Sequence, residues 1–257
     1  MSLISQQDPI AAVPMDAGLI IESNKLKKSW VTLSETNLIW SQMLEDKYFK
    51  VFDAGLKGLD SILMKERLDK EIFQNKKVIL SLHPGDNAIE IFAVTNAKLD
   101  VYKSLLSLLG REGFNFIKIK NQLNEFTDKN NNKCFLGYKE PFLMYSTSKM
   151  LIEQSLFQLE KGEGLLKDDG FSQINATKSF SSDVHLYFKS NQFLRTISKY
   201  LNKEFVQKWQ NGEFFKGWLE LDLTARPNSL MLSGLSLLEG NSLFDQSIRR
   251  QDPISSN

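Results

Sequence analysis

Asp16-Ala-Gly-Leu-Ile-Ile-Glu-Ser-Asn-Lys-Leu26 returns further along the chain as Asp183-Val-His-Leu-Tyr-Phe-Lys-Ser-Asn-Gln-Phe193. Aspartate, leucine, serine and asparagine recur in register (Asp16/Asp183, Leu19/Leu186, Ser23/Ser190, Asn24/Asn191), and the positions between them are mostly apolar. Each copy reads as a strand running into a helix. The Ser-Asn pair is the expected N-cap, because short polar side chains accept the orphan N–H groups of a first helical turn. Phe142-Leu-Met-Tyr-Ser-Thr-Ser-Lys-Met-Leu151 is a looser third copy. A repeat of this kind describes how a domain is assembled and is silent on its chemistry.

Downstream of each main copy lies a pair of β-rich runs around turn residues. Residues 78–82 and 89–94 flank His83-Pro-Gly-Asp-Asn87, and residues 217–223 and 229–234 flank Ala225-Arg-Pro-Asn228. Both read as hairpins. They align Leu82 with Leu223, Asn87 with Asn228, Ile89 with Leu230 and Ile91 with Leu232. The first half carries an extra helical hairpin, marked by apolar residues every three to four positions over residues 37–73 (Leu38, Met43, Phe52, Leu59, Leu63 among them). Helices are expected over 99–109, closed by Gly110, and over 149–160. Strands are expected at 115–120, 134–138 and 141–145, and a weakly structured link follows Asp168. The expected fold is α+β: two related β-α-α-β-β halves, about 14–125 and 140–240, with mostly antiparallel sheet and helices packed on one face. One continuous sheet and two sheets related by a pseudo-twofold axis both satisfy the pattern. Residues 1–13 read as a flexible arm, and 241–257 as a polar tail or the start of another module.

Composition narrows the functions. With 32 basic and 31 acidic residues the formal net charge is +1, which gives no global field to draw in a nucleic acid or anionic lipid. One cysteine, Cys134, rules out an intrachain disulfide, and no apolar run is long enough to span a membrane. Two histidines build no zinc site without several carboxylates, so no metal and no cofactor is expected. Gln7-Asp-Pro-Ile10 recurs as Gln251-Asp-Pro-Ile254, the pattern of a domain cut from a longer protein.

The candidate catalytic residues are few. Ser146-Thr-Ser-Lys149 matches the Ser-x-x-Lys pattern, in which a helix N-terminus presents a serine nucleophile to a lysine base one turn on. No Lys-Thr-Gly strand completes that site, and Ser23 and Ser190 stand in equivalent places without the lysine, so capping is the expected role. His83 sits in a Pro-Gly turn with only Asp86 close in sequence and reads as an exposed turn histidine. His185 reads as a partly buried packing residue inside its strand. Cys134 reads as an inert buried thiol, and Asp168-Asp-Gly as a turn without the spacing of a calcium loop. Phe214 and Phe215 are the expected exposed aromatics and, with His83, the candidate binding residues.

The strand-Ser-Asn-helix phrase resembles an uncharacterised family of large bacterial proteins known only as a domain of unknown function. So do Ser81-Leu-His-Pro-Gly85, the segment Tyr145–Glu153 and Trp218-Leu-Glu-Leu-Asp-Leu223. The resemblance covers about residues 14–239. It implies an exported protein tethered by an N-terminal membrane segment absent here, hence the bacterial cell envelope, and it brings no catalytic residues. The reading that follows is a non-catalytic interaction or structural module of a larger envelope protein, bound to a protein partner or to other domains of its own chain. The alternative is a binding domain for an apolar ligand, peptide or glycan in the groove between the halves. A serine hydrolase using Ser146 and Lys149 is the third reading. Oligomeric state is not legible.

Overall fold

Leu19–Ser23 (β1) and Val184–Lys189 (β8), the strands of the two main repeat copies, lie side by side and antiparallel in the interior of one sheet. Ile20 and Tyr187, equivalent in the repeat, are direct cross-strand partners, so a pseudo-twofold axis runs between the halves at that pair. The computed structural model describes residues 8–45, 57, 61, 63–64, 67–86, 88–120, 123–127, 133–179, 182–213, 216–239 and 246.

Outward from β1 follow Val78–His83 (β2) and Glu90–Asn96 (β3), and outward from β8 follow Gly217–Arg226 (β9) and Ser229–Leu238 (β10). A meander of Asn115–Lys120 (β4), Leu123–Thr127 (β5), Lys133–Lys139 (β6) and Phe142–Ser146 (β7) joins β3 through β7. The order is β10-β9-β8-β1-β2-β3-β7-β6-β5-β4, antiparallel throughout. One continuous sheet is therefore the answer to the question left open by the pattern. The hairpin alignment also holds, since Leu82 pairs with Ile91 and Leu223 with Leu232.

Among the described residues, eight α-helices accompany the sheet: Leu26–Val31 (α1), Leu38–Met43 (α2), Leu68–Phe73 (α3), Leu99–Arg111 (α4), Lys149–Lys161 (α5), Asp169–Asn175 (α6), Ser190–Ile197 (α7) and Lys203–Lys208 (α8). They cover both faces rather than one. Strand side chains alternate, and Met144 and Leu143 on β7 enter different cores. Ile20, Ile79, Phe92, Val94, Met144, Tyr187 and Trp218 pack against α5 and α6. Leu136, Tyr138 and Leu143 pack against α3 and α4 on the opposite face. The strand positions that alternate with the first core are capped by a second helical layer.

Three local differences have plain causes. Residues 8–13, read as part of a loose arm, form a short 3-10 turn with Ile10, Ala12 and Val13 fully buried in the first core; Asp8 caps it by accepting from the Ile10 N–H at 3.1 Å. The segment after Asp168 is helical, because the Asp168 carboxylate accepts the Phe171 N–H at 2.8 Å and caps α6. The repeat serines do not N-cap their helices. Ser23 accepts the Lys25 N–H at 3.2 Å and Ser146 the Ser148 N–H at 2.9 Å, so each serine holds the strand-to-helix turn one step earlier. Gly18, facing His185 in the repeat alignment, is where α7 crosses β1: any Cβ there would run into Thr196 and the backbone of Gln192 and Phe193.

Candidate functional site

Ser146 is fully buried and donates to the Ile91 carbonyl at 2.8 Å, while Lys149 is half-exposed and pairs with Glu153 at 3.0 Å. Each side chain is engaged away from the other. His83 is not an exposed turn residue: it ends β2 at 0% exposure, with Nδ1 2.7 Å from Asp16 and Nε2 2.9 Å from Ser81 Oγ. Its carboxylate comes from the first repeat copy, not from Asp86. Burial opposes ionisation of Asp16, but the hydrogen bond and attraction from His83 outweigh it and hold the carboxyl below its ordinary value. The chain Ser81–His83–Asp16 has the connectivity of a nucleophile, base and orienting acid. Ser81 is also at 0% exposure, so a substrate carbonyl has no approach to its hydroxyl. It pins the start of β1 to the end of β2. Cys134 is half-buried against the second core. Phe214 and Phe215 lie outside the described residues.

The other histidine sits in a denser polar group on the face covered by α6. Alternation puts Glu22 of β1, His185 of β8 and Asp222 of β9 in one cross-strand row, with Glu220 two residues along β9. His185 Nδ1 lies 2.6 Å from Asp222 Oδ1 and 3.6 Å from Glu220 Oε1. Ser179 N–H donates to the second Asp222 oxygen at 3.2 Å. Lys178 reaches Glu22 Oε1 at 2.7 Å; Lys77 bridges that oxygen at 3.2 Å and Asp8 at 2.7 Å. Glu22 and Glu220 are each 1% exposed, and each keeps one carboxylate oxygen with no hydrogen-bond partner, Oε2 and Oε1 respectively. Burial pushes the Glu220 carboxyl up to about 7, reinforced by Asp222 and eased by Lys178. A cavity of about 230 Å³ opens beside this group at the seam of the two halves, lined by Glu22, Asn24, Lys77, Lys178, Ser179, Ser182 and His185. All seven lining residues carry a polar or charged side chain.

A third feature is a surface. β10 is one end of the sheet, and its ten residues, Ser229-Leu-Met-Leu-Ser-Gly-Leu-Ser-Leu-Leu238, contain no charge and no proline. Every one of them is paired in unbroken register with β9. Leu232 and Leu235 are 55% and 56% exposed, and Met231 is exposed as well. The ladder phase is set by the Glu239 N–H bonding to the Lys216 carbonyl at 2.9 Å. In an antiparallel pair, alternate residues then turn their backbone groups away from the neighbour. Leu230, Leu232, Gly234 and Ser236 present theirs at the outer edge. Gly234 is required there, since a Cβ would meet the Glu220 carbonyl of β9. The far turn is clamped by Asn37, whose side-chain amide donates to the Arg226 and Ser229 carbonyls.

Glu220 and Asp222 are not among the residues singled out from the sequence, where Trp218-Leu-Glu-Leu-Asp-Leu223 reads only as one strand of the second hairpin. The signal available was Trp218, in phase with both acids at spacing two: an indole at 0% exposure places the acids on a covered face.

No protein-family model matches the chain, and no curated protein matches it. The resemblance of its strand–helix phrases therefore carries no family assignment. Among solved structures it is similar to crystal form III of TP0453, at 15% identity and a TM-score of 0.45, covering 95% of this chain and 86% of that chain. It is similar to crystal form IV at 14% and 0.47, covering 89% and 80%, and to form I at 14% and 0.46, covering 88% and 77%. At that level the likeness has no bearing on function.

Proposed function

We propose that the chain is a non-catalytic interaction module that joins a second copy of itself edge to edge through β10, merging two sheets into one. The observation that carries this reading is the ten-residue uncharged edge of β10. A long, flat apolar edge is a template for strand addition, and monomeric proteins blunt such edges with lysine, proline or bulges. Self-pairing suits this strand in particular. A twofold axis through Gly234 aligns the outward-facing backbone groups, sets Leu232 against Ser236 and Met231 against Leu237, and brings no like charges together. The resemblance of the repeat phrases extends the proposal to a place in a larger bacterial envelope protein.

Sedimentation velocity over a concentration series tests it. The parent chain is expected to associate into a dimer. Leu232→Pro removes an outward N–H without removing a bond to β9, and is expected to sediment as a monomer with an unchanged circular dichroism spectrum. A parent chain that stays monomeric at every concentration, or a variant that dimerises equally well, overturns the reading.

A further inference from the structure

We propose that His185, Glu220 and Asp222 form a binding site for one divalent transition-metal ion, independent of the β10 edge. Their donor atoms, one imidazole nitrogen and two carboxylate oxygens, all lie within 4.8 Å of one another. That mixed donor set suits zinc, whose ligands are nitrogen and carboxylate oxygen at about 2.0–2.2 Å; calcium and magnesium take oxygen. The three residues come from the paired strands β8 and β9, so the sheet fixes their spacing without a flexible loop.

Three further observations point to a cation rather than to a closed hydrogen-bond network. Glu220 Oε1 is buried, unpartnered and directed toward His185 Nδ1. Glu22, the cross-strand neighbour of His185, buries a second unpartnered oxygen. Leaving such oxygens unpaired away from water is costly, and a bound cation removes that cost. The adjoining cavity borders both His185 and Glu22, which gives an ion a route in and room for water as a remaining ligand. The three ligands are thus incomplete by one position, as in zinc sites that keep an exchangeable water.

The test is calorimetric titration of zinc into chelator-treated protein, with cobalt absorption as the second readout. One zinc per chain is expected, undisturbed by excess magnesium, and cobalt is expected to give the visible d–d bands of a low-coordinate nitrogen–oxygen site. Glu220→Gln, which keeps shape and fold, is expected to weaken zinc binding by more than about tenfold, as is His185→Asn. His185→Asn is also expected to shift the cobalt bands. Leu232→Pro is expected to bind zinc as the parent does, which separates this site from the assembly edge. Absence of zinc binding in the parent overturns the proposal. So does binding that both substitutions leave unchanged, which would mark adventitious surface coordination.

Discussion

β4 and β10 end the same antiparallel sheet, and each turns one row of backbone groups outward, yet they are finished differently. β4 has six residues, carries Lys118 and Lys120, and shifts register between those two lysines where it meets β5. Short length, lysine and a register break are the devices that keep an edge from pairing with another chain. β10 has ten residues and none of these devices. Phe116 and Ile117 are as exposed on β4 as Leu232 and Leu235 are on β10, so exposed apolar area alone does not separate the two ends. Charge and register do. The contrast teaches that, among the described residues, one end of this sheet carries the devices that terminate an edge and the other carries none of them.

β10 stands on a buried base. Behind it β9 buries Trp218 completely against Phe171 of α6, at 5.1 Å between ring centroids, with Lys189 stacked over the indole. Asp168 ties the group together, accepting from Phe171 N–H at 2.8 Å, Lys189 at 2.8 Å and the Trp218 indole at 3.3 Å. Beside β4, β5 buries Phe126 completely in the second core, with Phe116 of β4 6.0 Å away between ring centroids, and Lys133–Glu125 adds a surface ion pair. A rigid edge loses little entropy when a strand is added, and that favours association.

The largest effect expected is from Trp218→Ala. Emptying this buried site costs about 3–5 kcal/mol, loosens β9 and β10 together, and is expected to abolish association as well as to lower the urea midpoint. Giving β10 the charge that β4 carries should act on assembly alone. Leu232→Lys sets two like charges near the proposed axis and is expected to weaken dimerisation by at least about tenfold, or 1.4 kcal/mol, at unchanged midpoint. The reverse exchange sharpens the comparison: Lys118→Leu unblocks the second edge, so light scattering should find species heavier than a dimer.

Acid should act on the open end too. Burial opposes ionisation of Asp168, but Lys189, the Phe171 N–H and the Trp218 indole outweigh it, so its pKa is lowered in the folded chain. The stabilisation is therefore present above the ordinary aspartate pKa and is lost as pH falls below it, through the lowered pKa of the folded chain. Asp168→Asn is expected to cost about 1–2 kcal/mol at neutral pH and to flatten the acid limb of the stability profile measured by denaturant titration. The smallest effect is at the blunted end, where Lys133→Gln should change stability by less than about 1 kcal/mol, the usual worth of an exposed pair.

Much of this architecture is legible in the sequence. The repeated phrase, the two hairpins and the Leu223/Leu232 register all follow from period and turn residues, because those signals are local. What could not be read is set by layers far apart in the chain. Nothing near Leu143 says that α3 and α4 will cover its face, and nothing near His83 says that Asp16, from the first repeat strand, will reach it. The candidate site shows the same division. The Ser146 and Lys149 pattern is a local coincidence of letters that the fold puts to other use. His185, Glu220 and Asp222 meet only because β8 and β9 pair. The open edge of β10 was half visible: its lack of charge is plain in the sequence, whereas its place at the end of the sheet depends on which strand every other strand chooses.

The central claim is tested most directly by residue-resolved amide hydrogen exchange along β10 in the associated protein. Dimerisation through this edge predicts that Leu232, Gly234 and Ser236 exchange as slowly as Met231, Ser233 and Leu235, which already bond to β9. Fast exchange at the first three beside slow exchange at the second three, in protein that has associated, would contradict it.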